Sequence, residues 1–334
     1  MSNTATMMGL GSGAGGVKIA DAFSTQLYSG SSANRNIVND IDLDGHGGMI
    51  WTKVRTTNFN HVITDTEQGL SPYLVPNATS AADNGGSDTV TSFNSDGYSL
   101  GVDGQWYWNK SGYNFVSWTW RKAPKFFDVV TWTGSGVAGR TVSHNLGSVP
   151  AMMIVKSTST TGQWAVYHHS TSANPQKDYL LLNQSAAAYL NQDLIWNNTS
   201  PTATEFTLGS NTVGNGSGVT YVAYLFAHNE DLIQCGSYVG NGSNTGPVID
   251  LGFEPQWLLI KKSTGGAQDW ALYDNMRGLV NNGDDALLSP NTSGDELNGY
   301  QSLSPTSTGF QLNSSHDWVN TNNETYVYMA IKKA

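Results

Sequence analysis

Charge is scarce in this sequence. Asp, Glu, Lys and Arg make up 13% of its 334 residues, and the formal net charge is −10. No basic stripe occurs anywhere, so a nucleic-acid surface, which needs clustered Lys and Arg against phosphates, is not expected. Cysteine is nearly absent. The lone Cys235 rules out an intramolecular disulfide framework and a four-cysteine zinc site, and it reads as a small buried apolar residue. No apolar run approaches a membrane-spanning length, so membrane insertion is not expected. The opening "MSNTATMMGLGSGAGGVKIA" has neither a basic n-region nor a continuous apolar h-region, which points to a product made in a cytoplasm without cleavage for export. Without a secretory route, triplets such as Asn77-Ala-Thr and Asn291-Thr-Ser carry no weight as glycosylation sites. Helical periodicity is missing except over Gln184–Gln192, with Asp284–Leu288 as its counterpart.

What the chain has instead is Gly, Ser, Thr, Asn and aromatics, the composition of an all-β protein with polar uncharged faces. It also repeats itself. "LGSVPAMMIVKSTSTTGQWAVYHH" from Leu146 returns as "LGFEPQWLLIKKSTGGAQDWALYDN" from Leu251. Both carry Leu-Gly, a following Pro, an apolar run closing on Lys, then Trp-Ala-x-Tyr. A weaker version, "GGMIWTKVR", precedes them, so that Lys53, Lys156 and Lys261 recur at about 105 residues. Aromatic strands beginning at Phe115, Tyr221 and Tyr326 close each copy. The chain therefore reads as a Gly/Ser/Ala-rich N-terminal arm (1–20) and three tandem β-sandwich or jelly-roll-like repeats, 21–123, 124–230 and 231–334. Each has seven or eight strands and is large enough for its own core. The links, "RKAPKFFDVV" and "AHNEDLIQCGS", are too short for free swinging, so the copies pack as a stiff rod or a compact pseudo-threefold cluster.

The strings "RKAPKFFDVV" and "IDLGFEP", with "GGMIWTKVR", "TSFNSDGYSLG" and "YVAYLFAH", resemble a family of tandem β-rich repeat proteins encoded by phages of marine bacteria, especially cyanophages, among virion genes. The similarity runs from about Leu27 to Lys332. It implies a non-enzymatic virion component in or near the tail or its fibres, with other virion proteins as partners and assembly in the host cytoplasm. Homo-oligomers, trimers among them, fit a fibre. The alternatives are a receptor- or glycan-binding fibre head that takes a host surface glycan, and a capsid decoration protein.

Candidate chemistry is thin. "GSGAGG" from Gly11 and "GSGVAG" from Gly134 match G-x-G-x-x-G, but neither precedes a helix that would present its N-terminus to a pyrophosphate, so no cofactor is expected. Asp40, Asp42 and Asp44 have the spacing that opens a calcium loop, whereas the position of its closing Glu holds Trp51, so no metal site is assigned and calcium remains the weak alternative. His168 and His169, adjacent in a strand, point to opposite faces. No nucleophile elbow or recurrent carboxylate pair appears, and no catalytic residue is assigned. The polysaccharide-depolymerase alternative would need two carboxylates brought together in space. Aromatic loops are the best binding candidates. Trp106, Trp108 and Tyr113 in "GQWYWNKSGYNF", and Trp318 in "SHDWVNTNNETY", offer ring faces beside Asn to a sugar or a neighbouring subunit.

Overall fold

The computed structural model describes residues 16–334 apart from 105 and 282. The fold is all-β, with 39% strand and 6% helix, and its seven sheets are antiparallel. Three of them are major sheets, and one strand order recurs in all three. The first runs Phe23–Ser29, Asn114–Arg121, Gly48–Val54, Val62–Asp65. The second runs Phe127–Thr133, Thr220–Phe226, Met152–Ser157, Ala165–His168, with Leu180–Leu181 added at the edge. The third runs Ile233–Val239, Thr325–Lys332, Pro255–Lys262, Ala271–Asp274. In each, the strand that closes the segment lies between the one that opens it and the one ending in Lys.

Every residue of the strands at Gly48–Val54, Met152–Ser157 and Pro255–Lys262 is buried, because both faces of each major sheet are covered. Side-chain alternation sorts the two faces. Val116, Trp118 and Trp120 of the first closing strand, and Val327, Met329 and Ile331 of the third, enter one central core with the second sheet's side chains. The alternate residues, Phe115 in the first and Tyr326, Tyr328 and Ala330 in the third, pack outward against separate cores. Those cores are shared with smaller outer sheets, Arg35–Val38/Gly97–Leu100/Val90–Asn94 in the first case and Val248–Asp250/Gly309–Leu312/Leu303–Thr306 in the third. The second outer sheet, Arg140–Ser143/Glu205–Leu208, covers Trp132 and Tyr221 in a layer continuous with the centre. Each pairing is sandwich-like.

The three major sheets close on one another. Tyr224 OH, from the second closing strand, donates to Asp65 Oδ2 at the end of the first sheet's hairpin, 2.8 Å away. His168 Nε2, at the same place in the second hairpin, donates to Tyr328 O of the third closing strand at 3.0 Å. Trp118 Nε1, in the first closing strand, donates to Asp274 Oδ2 at the end of the third hairpin at 2.9 Å. A rod would keep the first and third sheets apart. Here they touch, and the ring of seams closes around rings such as Trp120, Phe226 and Trp257, with Trp120 and Trp257 edge to face at 5.5 Å. Residues 1–15 of the expected arm, with the start of the Gly11 motif, lie outside the described residues. Ile19 already belongs to the central core, and Val17 packs against it.

Two sequence expectations fail. Gln184–Gln192 and Asp284–Leu288 are irregular chain with isolated β-bridges, not helical. Tertiary pairing overrides the helix preference of the alanines: Ser185 O accepts Gln268 N (2.8 Å) and Lys261 Nζ (2.8 Å), and Ala188 N donates to Ser263 O. In the second segment Leu287 and Leu288 form bridges to Leu297 and Leu272. The two α-helices among the described residues are single turns, Leu43–His46 and Thr212–Asn215.

Candidate binding surface

The loop from Gly101 to Tyr113 carries three of the four expected aromatic residues. Two buried polar side chains shape it. The Asp103 carboxylate accepts the backbone N–H groups of Tyr107 (3.1 Å), Trp108 (2.9 Å) and Asn109. The buried Asn109 amide donates to Gly101 O at 2.9 Å and Ala33 O at 2.7 Å, and its oxygen accepts Ser31 N at 3.0 Å. Tyr28 OH adds a bond to Trp108 O at 2.7 Å.

This pinning separates residues that the sequence groups together. Trp108 turns inward, 1% exposed, edge-on to Tyr73 with ring centroids 4.9 Å apart. It is a core residue, because the bonds to Asp103 and Tyr28 hold its backbone against the outer core, and it cannot meet a ligand. Trp106 turns outward, 42% exposed. Its φ of +68° is unfavourable for a bulky L-residue and persists because the flanking loop is over-determined. Phe59 meets Trp106, Tyr107 and Tyr113 edge-to-face at 5.8, 6.3 and 5.4 Å. Lys110 Nζ lies 4.7 Å from the Trp106 ring centre, a cation–π contact at a partly wet site. Tyr113 is half-buried. The surface therefore joins one exposed indole, one ammonium and the polar edge of Tyr107, whose hydroxyl meets Asn60 Nδ2 at 3.4 Å. It can stack on a ring or bury a partner's side chain, but it presents no nucleophile and base in contact.

Trp318 is elsewhere, in the outer layer of the third sheet. It stacks on His316 at 4.3 Å, lies edge-on to Tyr300 at 5.3 Å, and donates to Ser302 Oγ at 3.3 Å. Its partners are its own neighbours, and the structure does not bring it to Trp106.

The aspartate run does not converge. Asp42 caps the turn Leu43–His46, its Oδ1 accepting Gly45 N at 2.7 Å, while Asp40 and Asp44 are exposed. Among the described residues no group of three His, Cys, Asp or Glu side chains is placed to hold a metal ion. Gly134 opens a turn, where a Cβ would sit 2.2 Å from Gly216 O. His168 and His169 do not part to opposite faces, because the strand ends at His168. Their rings lie 5.5 Å apart, and His169 Nε2 reaches Cys235 O at 2.9 Å. Burial lowers the pKa of both and holds His168 at about 3. Cys235 is buried, and burial raises its thiol.

Sequence reasoning missed the asparagines. Asn215 and Asn320 occupy the same place before their closing strands as Asn109, and make the same bonds. Asn215 accepts Ser135 N and donates to Val137 O and Gly209 O; Asn320 accepts Asn241 N and donates to Ser243 O and Ser314 O. Their recurrence at 105- to 106-residue spacing was the available signal.

A comparison with curated proteins finds no match. The family model described as a domain of unknown function, DUF7483, matches residues 18–334. That span takes in all three major sheets and the aromatic surface, and the chain belongs to the DUF7483 family.

Proposed function

We propose that this chain is a non-enzymatic structural component of a bacteriophage particle, in or near the tail or its fibres, assembling as an oligomer through three tandem β units. The sequence resemblance supports the setting. One structural observation carries the mechanical part: three sheets share a single aromatic core and close on one another through buried hydrogen bonds. Such a body does not flex at its links, so it holds its outer faces in constant relative positions for neighbouring subunits. Mass spectrometry of purified particles, with a low-resolution map locating a labelled chain, tests the reading. Presence at the tail supports it, a capsid position makes the chain a decoration protein, and a monomer missing from particles overturns it.

A second reading, a receptor- or glycan-binding head, draws on the exposed Trp106 beside Lys110. It predicts that Trp106→Ala abolishes host adsorption while particles still assemble. Unchanged adsorption removes it.

A further inference from the structure

We propose that a cleft on the outer sheet of the first unit is a saccharide-binding site. This deepens the second reading with a site away from Trp106. The cleft has a volume of about 460 Å³, inside the range of small-molecule sites, about 300–1,000 Å³. It lies over the strands Arg35–Val38, Gly97–Leu100 and Val90–Asn94, beside the 3-10 turn Gly86–Asp88.

The sheet register sets the groups out. Ser99 stands on the middle strand, opposite Asn36 on one neighbour and Ser92 on the other, with Thr91 as the extra residue at the irregularity between Val90 and Ser92. Ser99 Oγ donates to Asn36 Oδ1 at 2.9 Å and receives Asn94 Nδ2 at 3.0 Å. This fixes the Asn36 amide and leaves its Nδ2 without a hydrogen-bond acceptor among the described residues. Arg35 is held at one rim by Nη1 donation to Ser29 O and by its place 5.4 Å from the Tyr28 ring centre. Asp88 lines the cleft from the turn that precedes the far strand. With the middle strand between them, the two charges form no ion pair within 4 Å among the described residues.

Two glycines fix the turn against the sheet. A Cβ at Gly101 would lie 2.2 Å from Ser87 O, and one at Gly104 would lie 2.7 Å from Asp88 Oδ2. Gly101 N in turn donates to Thr89 O at 2.8 Å. Main chain at Gly101 thus packs directly on the turn, and the space at Gly104 is taken by the Asp88 carboxylate, a preorganisation that lowers the entropy cost of binding.

The lining selects a class of ligand. A simple anion would find no use for Asp88, and a simple cation would meet Arg35. A planar aromatic ligand finds no ring to stack on, because no aromatic residue lines the cleft. An uncharged polyhydroxylated ring both donates and accepts. It satisfies a carboxylate, a guanidinium and amides together, with Val102 left for its C–H face.

Titration of the ¹⁵N-labelled full chain with glucose, galactose, mannose, N-acetylglucosamine and lactose tests this by amide shifts. The expected result is a saturable shift at Asn36, Asp88 and Ser99 with at least one sugar. Asp88→Asn and Arg35→Gln are each expected to weaken it about tenfold with unchanged thermal midpoints, and Trp106→Ala to leave it unaltered. No saturable shift with any of the five, shifts confined to Trp106 and Tyr113, or full affinity in both folded variants overturns the proposal. Sugar binding with Trp106→Ala adsorption intact keeps the cleft and removes the Trp106 reading. Loss of adsorption in Trp106→Ala without any sugar shift does the reverse.

Discussion

Trp118 and Asp274, far apart in the chain, meet at 2.9 Å where the first major sheet touches the third. The same carboxylate oxygen takes Arg277 Nε at 2.6 Å, and the guanidinium lies 5.4 Å from the Trp118 ring centre. Arg277 continues to Glu296 at 3.2 Å, which also takes Arg55 at 2.8 Å. Neighbouring seams use neutral donors, Tyr224 and His168. The seam between the first and last sheets carries a buried chain of ion pairs, whereas the first and second are joined by the single pair Lys122–Asp128 at 3.3 Å among the described residues.

Breaking a buried pair strands a charge in low dielectric, which costs about 3–5 kcal/mol. Arg277→Met is expected to lower stability to urea by that order. Trp118→Phe keeps an aromatic ring but deletes the donor and part of the buried indole, and a loss of about 1–3 kcal/mol or more is expected. Equal midpoints for wild type and Arg277→Met would show that the seam is not closed in solution.

The second-to-third seam responds to acid. Burial, and then the neighbouring His169, hold His168 near 3 against an ordinary 6.5. A folded pKa below the unfolded one gives a contribution that is complete above 6.5 and is lost as pH falls towards 3. His169, lowered chiefly by burial, acts in the same direction. Asp285 runs the other way. Burial lifts it to about 7, so its contribution is complete below 3.8 and is lost as pH rises through 7. Stability followed against pH should therefore fall less steeply between 6.5 and 3 in His168→Gln, and Asp285→Asn, which removes the opposing contribution, should make the fall from pH 7 to 4 steeper. Profiles parallel to wild type would contradict both assignments.

Asn109→Ala, Asn215→Ala and Asn320→Ala each leave one N–H and two carbonyls, at part-buried or buried places, short of a partner. Each is expected to cost at least ~2 kcal/mol, and the three losses should be alike. Denaturant midpoints of the three variants measure this, and a harmless substitution at any one would mean that its loop does not depend on the latch.

Close backbone approach predicts a contrast between two glycines. A Cβ at Gly309 would fall 1.8 Å from Ile249 O, whereas one at Gly266 meets nothing within 4 Å. Gly309→Ala should part the outer strands Val248–Asp250 and Gly309–Leu312 and lose more than ~2 kcal/mol. Gly266→Ala should be neutral or stabilise by up to ~1 kcal/mol. Calorimetry on the two variants separates these outcomes.

Strand positions were readable wherever a side chain's neighbours lie on its own strand. The Trp-Ala-x-Tyr strings occupy one register place in the second and third hairpins, and the apolar runs that end in Lys are the central strands. What composition could not show was burial decided at long range. Lys53, Lys156 and Lys261 resemble solvent-facing strand ends, yet all three are buried, and burial lowers each to about 8. Their ammonium groups donate to main-chain carbonyls, among them, for Lys156 and Lys261, those of Thr79 and Ser185, which precede the lysines' own major sheets in the chain. Trp106 and Trp108 differ in fate because Asp103, Asn109 and Tyr28 pin the loop between them, and no local period records that. The Gln184–Gln192 helix failed for the same reason, since its partners lie in other segments, at residues 177–179 and 261–268.

The shared central core also bears on how the chain is made. A ribosome releases the N-terminal sheet first, with Val116, Trp118 and Trp120 on a face whose partners include Trp257 and Asp274. Until those later residues emerge, that aromatic face stays wet, and contacts of such long sequence separation form slowly. A nascent or prematurely terminated chain is thus a sticky species. Folding chaperones would act during that interval, and soluble yield should drop sharply for fragments that stop before the third sheet.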